Sequence, residues 1–286
     1  MTMAAGDPFE ISPAELESEV SIYRAAREAR LTSEKGWLTL VAKVWLAPGR
    51  YRIGSAPDCE ITLPQDKAPA SVGTVTLENG LVRLDADPSA LLHARGARVT
   101  SLAMRSDAEA EPDEVKLGSL TLELIRRGDA LAIRVRDSQS EARRTFPGIP
   151  AYAVDPAFRV VARFEAFSAE RNVVFDDSDG RPQPYVAPGI AVFEIGNTAC
   201  RLLPVFESDR KRLFVLFADP TNHDDTYGSG RFLYAPLPEL GRIVLDFNKA
   251  FNPPCAFTPY AVCPLPPPDN RLPIRVEAGE KRPADH

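Results

Sequence analysis

Side chains that could bind or activate a small molecule are concentrated in the last quarter of the chain. The stretch from Asp219 to Arg231 gathers acidic, hydroxyl and basic groups around Gly228 and Gly230. Loops that are flanked by a rigid scaffold often carry catalytic and binding residues. We therefore predict a ligand site in this loop, with functional side chains from Asp225, Thr226, Tyr227 and Arg231.

The next segment, Arg242–Asn248, has the pattern of a strand with a polar end. A period of two places Val244, Asp246 and Asn248 on one face. A carboxylate beside an amide favours a polar binding surface, in which Asp246 or Asp225 is the predicted general base. The alternative is that Asp246 and Asn248 bond the backbone of the Pro-rich segment that follows.

Arg231 also has two interpretations. Its guanidinium could hold a ligand carboxylate or phosphate through two parallel hydrogen bonds. It could instead neutralise Asp246 in a buried structural pair, which is the interpretation that we favour.

The strand end and the Pro-rich tail supply the remaining predicted ligand contacts, which are Asn248 on the strand and Asn252, Cys255, Asn270 and Arg271 in the tail. Asparagines beside prolines are also typical of capped turns, so a structural role stays open. Cys255 and Cys263 could bind zinc only with further partners such as His93 and His223. Cys255 could act as a nucleophile with His223 as its base, or pair with Cys263 in a disulfide. Buried thiols are the favoured interpretation, and we predict neither a metal nor a cofactor.

Composition excludes several function classes. The net charge of −6 argues against nucleic-acid binding, which needs a basic surface. No apolar run is long enough to span a membrane, and the first ten residues lack the pattern of a signal peptide. Four dispersed cysteines indicate a reduced, cytoplasmic protein rather than a disulfide framework. P-loop, dinucleotide-binding, nucleophile-elbow and zinc-protease motifs are absent from the sequence.

The scaffold is predicted to be mainly β behind an N-terminal helix. Ser12-Pro13-Ala14-Glu15 is a capping box that starts a helix, whose arginines Arg24, Arg27 and Arg30 recur every three residues. These arginines form a solvated edge, or one of them reaches an acidic group or ligand in the following domain. After residue 36, short strand patterns separated by turns, including Asn79-Gly80, predict a β-sandwich or barrel.

Three domains follow from these patterns. Residues 1–36 form an N-terminal helical segment, and residues 37–137 form a β-sandwich. Residues 138–286 form a second β-rich domain that contains the candidate site. Its Pro-rich tail wraps over the sheet, because prolines suit edges rather than central strands.

The sandwich region resembles the opening of a forkhead-associated domain. The resemblance rests on the Tyr51–Pro64 segment, on Ser71 and on the Asn79-Gly80 turn. It implies a β-sandwich. Ser55 stands where that family has its phosphate-reading arginine, and the family's histidine is missing after Ser71. We therefore expect no phosphothreonine peptide as a partner, since such binding depends on charge-assisted contacts.

The whole chain resembles the bacterial domain of unknown function 1684 family. The resemblance covers roughly residues 14–282 and rests on specific C-terminal motifs. These motifs are Thr226-Tyr-Gly-x-Gly-Arg-Phe-Leu, Leu245-Asp-Phe-Asn-Lys-Ala, Asn252-Pro-Pro-Cys-Ala-Phe, Cys263-Pro-Leu-Pro-Pro, Asn270-Arg-Leu and Ala278-Gly-Glu-Lys. The family implies no established activity. Its usual Ser-Gly-x-Glu is replaced here by Asn222–Asp225, which argues against a catalytic role for His223.

Two functions are therefore predicted. The first is binding of a small polar or anionic molecule in the C-terminal domain, with hydrolysis or other processing as an extension. The alternative is a non-enzymatic protein-interaction module that uses the N-terminal sandwich. The sequence leaves enzyme and binding protein as open alternatives.

Overall fold

Strands dominate the computed structural model, which describes residues 7–284. The described chain divides into two compact units, one of residues 30–146 and one of residues 7–29 with 147–284. The predicted mainly-β class with an N-terminal helix is confirmed. The unit limits differ from the predicted limits at residues 36 and 137. Residues 138–146 join the first unit because Ser140 Oγ donates to the Leu38 carbonyl, and Arg143 donates to that of Thr32.

Helix α1 (Pro13–Leu31) begins at the predicted capping box. The Ser12 N–H donates to Glu15 Oε2 at 3.0 Å, and the Glu15 N–H donates to Ser12 Oγ at 3.3 Å. Helix α2 (Glu141–Arg144) is a single turn. Short 3₁₀ turns occur at Trp37–Thr39, Pro156–Phe158, Pro220–His223, Phe247–Lys249, Pro254–Ala256 and Pro268–Asn270. No helix in residues 7–284 is long and apolar enough to cross a membrane.

The first unit is a β-sandwich. Its strands are β1 (Leu40–Leu46), β2 (Gly49–Gly54), β3 (Ile61–Thr62), β4 (Gly73–Glu78), β5 (Leu81–Ala86), β6 (His93–Ala94), β7 (Ala97–Arg98), β8 (Ser101–Ala103), β9 (Glu114–Leu117), β10 (Leu120–Arg127) and β11 (Ala130–Asp137). One sheet has the order β1-β11-β10-β9-β6-β7, and the other has the order β3-β2-β4-β5-β8. Both sheets supply side chains to one apolar core, including the fully buried Ile53, Leu84, Leu122 and Ile133.

The predicted hairpin at Asn79-Gly80 joins β4 to β5. Asn79 has φ of 51° and Gly80 has φ of 76°, the positive values that a tight two-residue hairpin turn requires. Local chemistry alone therefore determines this connection.

A buried carboxylate ties two loops of the sandwich together. Asp113, whose side chain is 1% exposed, accepts hydrogen bonds at 2.6 Å from Nε and from a terminal nitrogen of Arg95. The Arg105 N–H donates to the same carboxylate at 2.8 Å. These contacts, led by Arg95, lower the pKa of Asp113 to about 2.

Acidification is expected to weaken the sandwich through Asp113. The folded-state pKa lies below the ordinary value of 3.8, so the stabilisation is complete above 3.8 and is lost as pH falls towards 2. Solvent screens the half-exposed Arg95, so we expect Asp113→Asn to remove about 1 kcal/mol at neutral pH. The difference between wild type and variant should shrink in urea titrations at progressively lower pH. A constant difference would contradict the assignment.

The second unit contains two further sheets. Its strands are β12 (Arg159–Asp176), β13 (Pro182–Ile195), β14 (Thr198–Leu202), β15 (Val205–Phe206), β16 (Leu213–Phe217), β17 (Arg231–Ala235) and β18 (Arg242–Asp246). The sheet orders are β14-β13-β12-β18 and β15-β16-β17. The buried side chains of both sheets form one core, which includes Leu202, Val215, Leu233 and Leu245.

The Pro-rich tail wraps along these sheets, as predicted. Isolated backbone bridges attach it where a regular strand could not form, because prolines lack the N–H that a ladder needs. The bridged pairs are Ala151 with Glu280, Asp177 with Pro264, Ala218 with Arg271, and Phe232 with Phe251. The tail thereby borders the loop on which the sequence placed a ligand site.

Candidate functional site

Arg231 is a completely buried structural residue. Its guanidinium donates to Asp219 Oδ1 at 2.9 Å, and both side chains are 0% exposed. The predicted pairing with Asp246 is therefore wrong. Arg231 begins β17 opposite Phe217, the last residue of β16, so Asp219 lies only two residues beyond its strand partner.

The Arg231–Asp219 pair fastens the tail to the loop. The guanidinium also donates to the carbonyls of Val276, at 2.7 Å, and Ala278. Asp219 Oδ2 accepts from the N–H groups of Thr221 at 3.1 Å and Val276 at 2.8 Å. Burial lowers the pKa of Arg231, and the charge of Asp219 opposes this shift. The sequence signal for Asp219 is Asp-Pro before the 3₁₀ turn, a capping pattern.

Thr226 is likewise used inside the loop. Its hydroxyl, which is fully buried, accepts from Asn222 Nδ2 at 2.9 Å and lies 2.8 Å from Thr221 Oγ1. The Thr226 carbonyl accepts from Arg282 in the tail. These bonds give Thr226 the role of holding the turn.

Asp246 and Asn248 come together, as predicted, but they anchor a different segment. Asn248 accepts from the Asp155 N–H and donates to the Asp155 carbonyl, both at 2.9 Å. Asp246 Oδ1 accepts from Asn248 Nδ2 at 3.0 Å, and Lys249 Nζ lies 3.3 Å from Oδ2. The alternative role, in which these side chains bond the backbone of the Pro-rich segment, is wrong. The Asn248 side chain bonds the backbone of Asp155 instead.

Asn252 and Asn270 are buried at 0% exposure, and their side chains bond backbone groups elsewhere in the unit. Asn270 Nδ2 donates to the carbonyls of Leu203 at 3.1 Å and Leu216 at 2.8 Å, and its Oδ1 accepts from the Leu203 N–H at 2.7 Å. Asn252 Nδ2 donates to the Lys281 carbonyl at 2.7 Å. These contacts satisfy both ends of the Asn270 amide, whereas the Asn252 Oδ1 is buried without a hydrogen-bond partner.

Arg27 is one of the residues whose role the sequence left open. A solvated position is wrong for it: the side chain is 9% exposed, and Nε donates to Glu280 Oε1 at 3.1 Å. It also donates to the Asn252 carbonyl at 2.9 Å, while Arg24 donates to the Tyr152 carbonyl. The predicted acidic partner exists, but it lies in the unit that contains the helix rather than in the sandwich.

Asp225 and Arg271 remain more accessible. Asp225 is half-buried, and its Oδ2 accepts from the Tyr152 hydroxyl at 3.0 Å and from Arg275 at 3.1 Å. Burial, reinforced by Asp225, raises the pKa of Tyr152 to about 12. Arg271 is exposed. The catalytic roles of Asp225 and Asp246 stay predictions, and neither residue lines the pockets described below.

Tyr227 and Cys255 are neighbours. The Tyr227 hydroxyl donates to the Cys255 carbonyl at 3.0 Å, and burial raises the pKa of Tyr227. The Cys255 N–H donates to Cys263 Sγ at 3.1 Å, and the two cysteines are not joined by a disulfide. Within residues 7–284, no three His, Cys, Asp or Glu side chains are grouped so that they could hold a metal ion.

An aromatic pocket of about 420 Å³ lies elsewhere in the second unit. Its lining comes from β13, from the β15–β16 turn and from β17, and comprises Pro184, Tyr185, Val186, Phe206, Glu207, Ser208, Arg210, Phe214 and Tyr234. None of these residues was predicted. The only sequence pattern that could have predicted this pocket is the aromatic residues on short neighbouring strands. The same pattern is equally typical of an apolar core.

A pocket of about 500 Å³ is formed mainly by residues 9–16, with Pro156 and Arg159. Its polar rim includes the start of α1, where Ser12 and Glu15 already cap each other. Arg159 donates to the Phe9 carbonyl at 2.7 Å. The Arg159 Nε is buried without a hydrogen-bond partner. The pocket has a single aromatic residue, Phe9, so the aromatic pocket is the better candidate for a flat ligand.

Comparisons with known proteins identify the family. The model described as "Protein of unknown function (DUF1684)" matches residues 144–281. An uncharacterized protein of Haloarcula marismortui is 32% identical, with 50% of this chain and 81% of that one covered and a TM-score of 0.42. The FHA-2 domain of a Mycobacterium tuberculosis ABC transporter is 27% identical, with 31% and 77% covered and a TM-score of 0.23. No curated protein matches this chain. The predicted resemblance is confirmed, and the chain belongs to the DUF1684 family of proteins of unknown function.

Proposed function

We propose that the C-terminal unit binds a small molecule with a flat aromatic body and one polar or anionic group. The observation that carries this proposal is the pocket in which Tyr185, Phe206, Phe214 and Tyr234 meet. Ligand sites are typically concave and apolar, with a few polar groups that fix orientation. A volume of about 420 Å³ suits a compact metabolite.

The rings are held in place by their neighbours. Arg212 lies over Tyr234, with its guanidinium carbon 3.6 Å from the ring centre, and Arg210 lies 4.0 Å from the centre of Phe206. Phe214 and Tyr234 pack with their ring centres 5.4 Å apart. A flat ligand can therefore stack on rings that already have defined positions, which reduces the ordering cost of binding.

The polar part of the ligand would be recognised by hydroxyl and guanidinium groups. Burial raises the pKa of Tyr185 to about 12 and also raises the pKa of Tyr234, so both hydroxyls stay protonated. The Tyr234 hydroxyl already bonds Glu207, so Tyr185 is the hydroxyl that would donate to the ligand. Arg210 pairs with Glu170, and both side chains are 49% exposed. Such a pair is worth about 0–1 kcal/mol, so a ligand anion can replace Glu170 at little cost.

In this proposal the protein is cytoplasmic and binds its small-molecule ligand at neutral pH. Its four cysteines form no disulfide within residues 7–284, consistent with a reducing compartment.

The pocket is tested with Phe206→Ala against Phe167→Ala. Phe167 is a matched control because Arg171 lies 3.8 Å from its ring centre, much as Arg210 lies over Phe206. Benzoate, indole-3-acetate and 2-naphthoate, each beside its carboxamide, are titrated by ligand-observed NMR. We expect Phe206→Ala to weaken binding about tenfold or more, and Phe167→Ala to leave it within about twofold.

Arg210→Gln separates the anionic preference from aromatic stacking. It should weaken the carboxylates and leave the carboxamides nearly unchanged, since only the charged partner is lost. Failure of every probe to bind saturably at millimolar concentration, or equal losses in the two alanine variants, would overturn the pocket assignment.

A further inference from the structure

The two C-terminal cysteines are brought together by the prolines that precede one of them. Pro253 and Pro254 have no N–H, so Cys255 carries the first available donor of the 3₁₀ turn Pro254–Ala256. That N–H donates to Cys263 Sγ at 3.1 Å. This hydrogen bond places the Cys263 sulfur beside the backbone of Cys255.

Cys263 is itself fixed from the opposite side. Its N–H donates to Ser178 Oγ at 3.2 Å, and its carbonyl accepts from the Ser178 N–H at 2.8 Å. The side chain of Cys263 is thereby held at the turn after β12 and faces Cys255. The Cys263 sulfur therefore lies within hydrogen-bond distance of the Cys255 backbone, eight residues earlier in the chain.

Hydrogen bonds favour the thiolate form in this pair. A hydrogen bond from the Cys263 side chain lowers the pKa of Cys255, and burial opposes this shift. Burial instead raises the pKa of the isolated Cys59 and Cys200 thiols. The pKa of Cys255 is therefore lowered, whereas the pKa values of Cys59 and Cys200 are raised.

Accessibility assigns different roles to the two sulfurs. Cys263 is 1% exposed, whereas Cys255 is only partly buried. A reagent from solvent is therefore expected to react with Cys255 before it reacts with the buried Cys263. A partly accessible thiolate with a second cysteine sulfur beside its backbone is the arrangement of an oxidisable pair.

We propose that Cys255 and Cys263 form a hydroperoxide-sensitive dithiol site. The Cys255 thiolate attacks the terminal oxygen of a small hydroperoxide, ROOH. The O–O bond breaks, the departing alkoxide takes a proton to leave as ROH, and Cys255 becomes a sulfenic acid. The Cys263 sulfur then attacks the Cys255 sulfur, the S–OH bond breaks, and water leaves. The product is a Cys255–Cys263 disulfide, which an external dithiol can reduce.

This site is independent of the aromatic pocket, so either assignment can fail without the other. The full-length reduced protein is treated with equimolar hydrogen peroxide, quenched with an alkylating agent and mapped by peptide mass spectrometry. We expect Cys255 to be consumed about tenfold or more faster than Cys59 and Cys200, and a Cys255–Cys263 disulfide to accumulate. Dithiothreitol should restore both thiols.

Variants resolve the order of the two steps. Cys263→Ser should stop at the sulfenic acid, which dimedone traps at Cys255, whereas Cys200→Ser should behave as wild type.

Two results would overturn the site. One is equal oxidation of all four cysteines in wild type, a measurement that needs no variant to fold. The other is oxidation that stops at Cys255 in wild type without forming the Cys263 disulfide.

Discussion

Replacing Arg231 by methionine is expected to lower the free energy of unfolding of the C-terminal unit by about 3–5 kcal/mol. Methionine nearly fills the space but removes the donors to Asp219 and to the carbonyls of Val276 and Ala278. Asp219 would keep its charge at 0% exposure without its cationic partner. An unpaired buried charge is among the few causes of losses this large.

The two tryptophans make the measurement selective. Trp37 and Trp45 both lie in the sandwich unit, so tryptophan fluorescence follows that unit, whereas circular dichroism follows both. In urea titrations, Arg231→Met should shift the transition seen by circular dichroism and leave the fluorescence transition near its wild-type midpoint. Exposed Arg271→Met is the matched control, with an expected change within about 0.5 kcal/mol.

The double variant Arg231→Met/Asp219→Asn distinguishes a charge effect from a packing effect. Removing both charges should recover part of the loss, because a neutral amide costs less to bury than an unpaired carboxylate. A single Arg231→Met loss below about 1 kcal/mol would show that the pair is not a structural clamp.

Local chemistry explains which parts of the fold could be predicted. The start of α1 needed only Ser12 and Glu15, three residues apart, and the β4–β5 turn needed only Asn79 and Gly80. The strands followed from alternation and turn spacing. These features depend on neighbours in the sequence, so their patterns survive without knowledge of the tertiary structure.

The candidate site was less predictable because its bonds connect distant residues. The sequence shows that Arg231 needs an acidic partner, but the choice between Asp219 and Asp246 depends on where β16 ends against β17. Asn270 likewise looks like a turn cap, yet it bonds Leu203 and Leu216, far away in the chain. A cluster of polar residues indicates that buried polar groups need hydrogen-bond partners. The same residue types bond either a ligand or the protein backbone, so the cluster alone does not distinguish the two.

The aromatic pocket was missed for a related reason. Phe206, Phe214 and Tyr234 have the pattern of core strand residues, and only their three-dimensional arrangement leaves space between them. A pocket is space that the packed side chains leave unfilled, and no residue type by itself predicts such a space. The sequence singled out Cys255 as a possible nucleophile with His223 as its base, but its hydrogen bonds are with Cys263 and Tyr227.

Arg27→Met is the second substitution with a large expected effect, about 3 kcal/mol at neutral pH. Arg27 joins α1 to the tail through Glu280 and the Asn252 carbonyl, and its guanidinium carbon lies 5.0 Å from the centre of the Phe251 ring. The neighbouring Arg30→Met is the control, because Arg30 is exposed on the same helix. Its effect should stay within about 0.5 kcal/mol, measured by circular dichroism in urea.

The loss in Arg27→Met should depend on pH, with a sign set by Glu280. Burial raises the folded-state pKa of Glu280 above its ordinary value of 4.5, and Arg27 opposes that shift, so removing Arg27 raises the pKa further. The folded variant then binds its proton to a higher pH than the unfolded chain, and its stability falls as pH rises above 4.5. The cost relative to wild type should therefore be smallest near that value and grow towards neutrality. Adding Glu280→Gln should abolish this dependence. A cost that is the same at every pH would mean that Arg27 stabilises the unit through packing on Phe251 rather than through its charge.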